Sequence, residues 1–198
     1  MRIIFATKNK GKLKEIKEVL HPPFDVLSME EVGITDEVVE DQGTYEGNAL
    51  KKAKEICRRS QAITLADDSG LEIDCLGKKP GVDTALYMGK DTPYSERISD
   101  ILGRTKDIPT EQRTARFVCV IAAAFPDGTT HFVRREIEGL VALEAGTGKY
   151  GFAFDPIFFL PDYGKTMCEI PLELKNEISH RGQALRAMKE YLSAKRGG

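Results

Sequence analysis

The chain has 198 residues, 41% hydrophobic and 30% charged, with a formal net charge of -2, so it can build one substantial core or two lobes and is expected to form a single domain over 1–198. No apolar run approaches the ~20 residues of a bilayer span, which argues against a membrane role, and the faintly acidic balance gives no global attraction to nucleic acid. Four scattered cysteines without a Cys-x-x-Cys pair, and histidines without metal-site spacing, predict reduced thiols and no zinc-type centre.

The opening Met1-Arg2-Ile3-Ile4-Phe5-Ala6 lacks a small-residue cleavage site and reads as a first strand instead of a signal peptide, which predicts a cytoplasmic protein. It runs into Thr7-Lys8-Asn9-Lys10-Gly11-Lys12, after which Leu13, Ile16, Val19 and Leu20 recur at helical spacing. Unpaired backbone N–H groups at a helix start suit phosphate, and Thr, Asn, Gly and three Lys strengthen that reading. The alternative is a solvated lysine-rich helix face, which accounts for Lys14 and Lys17.

His21-Pro22-Pro23 ends the helix, and Phe24 to Ser28 should return as a second strand. An acidic stretch, Glu37-Val38-Val39-Glu40-Asp41-Gln42-Gly43, then precedes Thr44, the expected N-cap of a helix with Ala49, Leu50, Ala53, Ile56 and Cys57 on its apolar face. Each of these carboxylates can be a solvated loop charge or a ligand.

The run Ala62 to Ala66 has strand composition and is expected to stop at Asp67-Asp68-Ser69-Gly70, where an α/β protein places its chemistry. Alternation along an extended chain sends Asp67 and Asp68 to opposite faces, so one of them suffices for catalysis. Asp-Ser-Gly after a strand is also ordinary turn chemistry. Leu71 to Leu76 reads as a separate half-buried strand, followed by a turn at 77–81 and a helix from about Tyr94 to Leu102.

Ala115 to Phe125 and Thr130 to Leu140 form a hairpin pattern through Pro126-Asp127-Gly128, with Arg134, Arg135, Glu136 and Glu138 on its wet face. Residues 144–151 resemble a phosphate loop but fail its spacing, since Leu143 and Tyr150 stand where Gly and Ser or Thr are needed, and they read as a flexible glycine-rich rim. An aromatic strand, Phe152 to Leu160, carries Asp155. The last helix has Ala184, Leu185, Met188, Tyr191 and Leu192 as its apolar positions, Ser179 as N-cap, and His180 and Arg181 in its first turn. An arginine there opposes the helix dipole, so Arg181 is expected to serve an external acceptor.

Four ordered motifs carry a family resemblance: Thr-x-Asn-x-x-Lys at 7–12, Asp-Asp-Ser-Gly-Leu at 67–71, Gly-Phe-Ala-Phe-Asp-Pro-Ile-Phe at 151–158 and Ser-His-Arg-Gly at 179–182. With them the sequence resembles the inosine triphosphate pyrophosphatase family over nearly its whole length. The resemblance implies a mixed α/β fold, an elongated mixed sheet flanked by helices with two lobes around a central cleft, and a homodimer. It also implies Mg²⁺-dependent hydrolysis of non-standard purine nucleoside triphosphates (ITP, dITP, XTP) to the monophosphate and pyrophosphate.

By the same resemblance, Thr7, Lys8, Asn9, Lys10, Gly11 and Lys12 hold the triphosphate, Glu40 and Asp68 bind magnesium, Asp68 is the proton acceptor and Ser69 touches substrate. Phe152, Ala153, Phe154, Asp155, Lys175, His180 and Arg181 match the family's nucleotide-binding positions. The chain departs from the family's Gly-Phe-Gly-Tyr-Asp at Ala153 and Phe154, and from its Pro-Gly-Val-Tyr-Ser-Ala-Arg-Tyr at 80–87. The rival readings are a Mg²⁺-dependent phosphatase with an aspartyl nucleophile, which wants Asp-x-Asp, and a non-catalytic RNA-binding module, which lacks its aromatic motif here.

Overall fold

A computed structural model describes residues 1–197. Its strands are β1 (Arg2–Phe5), β2 (Asp25–Ser28), β3 (Thr64–Ile73), β4 (Lys79–Pro80), β5 (Thr114–Ala124), β6 (Thr130–Val141), β7 (Phe158–Leu160) and β8 (Lys165–Thr166). Its helices are α1 (Lys10–Leu20), α2 (Tyr45–Ser60), α3 (Tyr94–Thr105), α4 (Leu172–Ile178) and α5 (His180–Gly197). The strands make one mixed eight-stranded sheet in the order β2-β1-β3-β5-β6-β7-β8, with β4 paired to β3. The architecture is therefore mixed α/β, a central sheet flanked by helices.

Two compact units divide the chain. The first comprises Met1–Asp68, Cys119–Arg135 and His180–Gly198, the second Ser69–Val118 and Glu136–Ser179. In the first, β1 runs parallel to β2 and to β3, with Phe5 level with Ser28 and with Leu65. Its core joins Ile3, Phe5, Ile16, Leu20, Leu65, Ile121, Leu185 and Met188, so α1 and α5 cover the face that Leu65 presents. In the second, Leu71, Ile73, Ile101, Phe117, Phe154 and Phe158 form a separate core.

β3 departs from the sequence expectation. It runs unbroken from Thr64 to Ile73, so Asp67-Asp68-Ser69-Gly70 lies inside a strand and not in a turn at its end. Turn preference is a local effect of a fraction of a kcal/mol to about 1 kcal/mol, and membership of a central strand together with burial of all but Ser69 outweighs it. The 144–151 stretch departs as well. A Cβ on Gly148 would stand 2.0 Å from the Cys168 carbonyl oxygen, and one on Gly146 would stand 2.1 Å from Thr166 Oγ1. The glycines permit close backbone approach to the segment 166–168, which a freely moving rim does not need.

Candidate active site

Parallel pairing places the 7–12 loop. The Ala6 N–H donates to the Leu65 carbonyl at 2.8 Å, so the chain leaves β1 beside the place where β3 reaches Asp67. Asn9 caps α1, its Oδ1 accepting from the Lys12 N–H at 3.0 Å, and Thr7 Oγ1 accepts from the Asn9 N–H at 3.2 Å. These local bonds turn the helix start outward, with Lys8, Asn9, Lys10 and Gly11 exposed. Lys12 turns inward, and its Nζ meets Asp67 Oδ2 at 2.7 Å.

Asp67 lies on the face of β3 that Leu65 shares with α1 and α5. It is 2% exposed. Burial alone would raise its pKa, but Lys12, Arg181 and Lys52 outweigh that and hold the carboxyl far below the usual range. Arg181, also buried, contacts Glu15 at 2.8 Å and reaches within 3.8 Å of Asp67. The cation in the first turn of α5 is thus neutralised by carboxylates from α1 and β3. Glu15 was not singled out from the sequence, because nothing along the chain marks a lysine-rich helix's glutamate as the partner of a residue 166 positions away.

Asp68 points to the other face, toward α2. Its Oδ2 accepts from Asn48 Nδ2 at 3.0 Å. Burial pushes its pKa up to about 6, Lys52 opposes that rise, and Glu40 adds to it by repulsion. Lys52 Nζ donates to the Glu40 carboxylate and, at 2.6 Å, to the Asp67 carbonyl oxygen. Although burial disfavours its charge, Asp67, Asp68 and Glu40 raise the lysine's pKa and keep it cationic. Neither Asn48 nor Lys52 was anticipated. Their spacing of four beside the apolar positions Ala49, Ala53 and Ile56 was the available signal, since two polar residues one turn apart at the edge of a buried stripe face the same neighbour.

The structure thus brings Lys12, Glu40, Asp68, His180 and Arg181 into the first unit together with the 7–11 loop. The same unit shows whether a divalent cation fits. Glu40 and Asp68 offer hard oxygen donors, and the Lys52 ammonium already bridges the Glu40 carboxylate and the Asp67 carbonyl. Among the described residues no set of three His, Cys, Asp or Glu side chains forms a metal cluster. Two carboxylates suit Mg²⁺, which takes its remaining ligands from water and phosphate.

The other predicted residues lie in the second unit, where Ser69 is half-buried in β3. Asp155 and Lys175, both nearly fully buried, pair at 2.8 Å, and the same Asp155 oxygen accepts from the Phe152 N–H at 2.8 Å. α4, which carries Lys175, was not foreseen as a separate helix. Phe152 keeps 37% of its surface exposed, whereas the Phe154 side chain is fully buried, edge-on to Tyr94 with centroids 5.2 Å apart. Phe154 therefore packs in the core, and its lack of a hydroxyl suits that position. Ala153 adopts φ +57°, a left-handed conformation that favours glycine, which explains what the Gly-to-Ala departure costs.

The profile of the Ham1 family matches residues 3–191. The dITP/XTP pyrophosphatase of Bacillus subtilis (strain 168) is 44% identical over 192 residues, covering 96% of each chain, and that of Geobacter sulfurreducens is 43% identical over the same share. A HAM1 protein from Coxiella burnetii superposes with a TM-score of 0.88 at 34% identity, covering 98% of this chain and 99% of that one. The Staphylococcus aureus Ham1 protein gives the same score at 32% identity. The matching span, the shared fold and the four motifs together show that this chain belongs to the Ham1 family.

Proposed function

We propose that this protein hydrolyses non-standard purine nucleoside triphosphates (ITP, dITP and XTP) to the monophosphate and pyrophosphate, and so removes them from the nucleotide pool. The observation that carries the proposal is the setting of Asp68, a buried carboxylate fixed by the Asn48 amide and set beside Glu40 and Lys52. Asp68 is assigned to accept a proton from the water that attacks the α-phosphorus. Lys12 and Lys52, with the N–H groups at the start of α1, are assigned to the charge of the triphosphate and of the departing pyrophosphate.

The proposed metal is Mg²⁺, held by Glu40 and Asp68, and when bound it would neutralise phosphate charge and polarise the scissile bond. Ser69 is assigned a substrate contact. Phe152, which keeps part of its surface exposed, is assigned to stacking on the base, and Ala153, Phe154 and Asp155 to the surrounding backbone contacts. Lys175, His180 and Arg181 are assigned to nucleotide binding. Assays with a panel of triphosphates, with and without Mg²⁺ and scored for pyrophosphate against orthophosphate, test this reading. It predicts pyrophosphate from dITP, ITP and XTP, little product from ATP, and no turnover once divalent ions are chelated.

Two further proposals concern assembly, from the family resemblance, and location. The protein acts as a homodimer, which sedimentation equilibrium would test by returning twice the 22.0 kDa chain mass. It acts in the cytoplasm, in keeping with the absence, among the described residues, of any helix long and apolar enough to cross a membrane.

A further inference from the structure

Asn48 occupies the first turn of α2 and is 4% exposed. Its side chain is not needed to cap the helix. Thr44 does that, its Oγ1 accepting from the Gly47 N–H at 3.0 Å, while the Asn48 backbone N–H is bonded to the Thr44 carbonyl. The buried amide instead works at both of its ends. Nδ2 donates to Asp68 Oδ2 at 3.0 Å, and Oδ1 accepts from the Gln42 backbone N–H at 3.0 Å.

The chemistry of the two partners fixes the orientation of that amide. An ionised carboxylate only accepts and a backbone N–H only donates, so the amino group must face Asp68 and the carbonyl must face Gln42. An amide presents a donor and an acceptor on one short rigid plane, which neither an aliphatic nor a carboxylate side chain offers. Gln42 lies two residues beyond Glu40, and one turn further along α2 Lys52 holds the Glu40 carboxylate itself. Helix α2 therefore grips the acidic loop at its candidate ligand and just beyond it, and through Asn48 it ties that loop to Asp68.

We propose that Asn48 is a positioning residue that locks the Asp68 carboxylate and the Glu40-bearing loop into one arrangement, so that both carboxylates meet the metal–triphosphate in a fixed geometry. This inference rests on the assignment of Glu40 and Asp68 to a divalent ion. Groups that orient metal ligands typically cost 10–100-fold in metal affinity or activity when removed.

The test uses the full chain and Mn²⁺ as the probe, with the α,β-imido analogue of dITP present and protein-bound Mn²⁺ read from the loss of its free electron paramagnetic resonance signal beyond the loss caused by the analogue alone. Asn48→Ala is expected to weaken Mn²⁺ binding about 10-fold and to lower kcat for dITP by about 10-fold or more, with KM for dITP little changed. Asn48→Asp keeps the length and the acceptor for Gln42 but has no donor for Asp68, and its kcat is expected to fall at least as far. Unchanged Mn²⁺ affinity and kcat in a folded Asn48→Ala protein would overturn the proposal. So would wild-type kcat in Asn48→Asp, because the loop contact alone would then suffice. Should Asn48→Ala fail to fold, Asn48→Asp decides. Failure of the metal assignment shows separately, in the wild type, as absent Mn²⁺ binding and turnover without divalent ions, and it removes this proposal with it.

Discussion

Asp67 and Asp68 are covalent neighbours on one strand, yet their surroundings drive their carboxyls in opposite directions. Asp67 faces Lys12 and Arg181, which makes it the counter-charge of a buried cluster. Removing one member of such a cluster leaves uncompensated charge, so Asp67→Asn is expected to cost about 3 kcal/mol of stability by denaturant titration. Its direct effect on turnover should be smaller than that of Asp68→Asn. Asp68→Asn keeps an oxygen that can accept from Asn48 and removes a carboxylate that burial penalises. It should leave the melting temperature undiminished while lowering turnover by roughly 10²-fold or more. Near wild-type turnover with Mg²⁺ would refute the assignment of Asp68.

Arg181 offers a second test at this scale. A 6-oxo purine presents an acceptor where adenine presents a donor, and a site built to donate can reject the mismatched base by ~10⁴-fold. Arg181→Ala should reduce kcat/KM for ITP much more than for ATP. An equal fall for both would assign Arg181 to Asp67 and the phosphate site instead. The charged residues of the four motifs were legible in the sequence because their order and spacing are distinctive. Glu15 was not, because its role exists only once α1 is laid against α5, and for Asn48 and Lys52 the spacing of four marks a shared face without naming the neighbour on β3 that they meet.

Elements explain where local preference misled. Asp-Asp-Ser-Gly has turn chemistry, but β3 is flanked by β1 and β5 and both of its faces are covered, so tertiary burial decided its conformation. The start of α2 was legible because the capping chemistry of Thr44 is local. The 144–151 segment misled in the opposite way, since glycine marks both flexible loops and tight backbone approach, and only the neighbour at 166–168 tells them apart. Gly148→Ala should therefore destabilise by about 2–3 kcal/mol, measured by chemical denaturation, whereas Ala153→Gly should stabilise by about 0.5–1 kcal/mol by relieving a left-handed alanine.

Strand-to-strand electrostatics gives a pH test. Thr114 and then Arg116, bonded at 2.7 Å and 3.0 Å, hold the Asp74 carboxyl below its ordinary value. A depressed carboxyl contributes stability above its unfolded pKa of about 3.9, and that contribution is lost as pH falls toward the folded value. Asp74 is partly exposed, so screening reduces the effect. Asp74→Asn should be less stable than wild type by about 1 kcal/mol at pH 7, with the difference shrinking toward pH 3.

For the whole molecule, the fold class was legible because alternating strand and helix patterns recur along the chain, while the division into two units was not. The chain passes between those units inside β3, β5 and β6 and at the buried Ser179–His180 junction of α4 and α5, not through exposed linkers. Domains that fold alone are usually joined at such linkers. A single cooperative thermal transition, coincident by far-UV circular dichroism and by loss of activity, is therefore expected.

The central claim is that water attacks the α-phosphorus under the control of Asp68 and that pyrophosphate leaves. Hydrolysis of dITP in ¹⁸O-labelled water, with the products resolved by mass spectrometry, tests it most directly. The account predicts one ¹⁸O atom in dIMP and none in the pyrophosphate. Label in pyrophosphate would place the attack on the β-phosphorus, and label in orthophosphate would mean removal of the terminal phosphate; either result would contradict it.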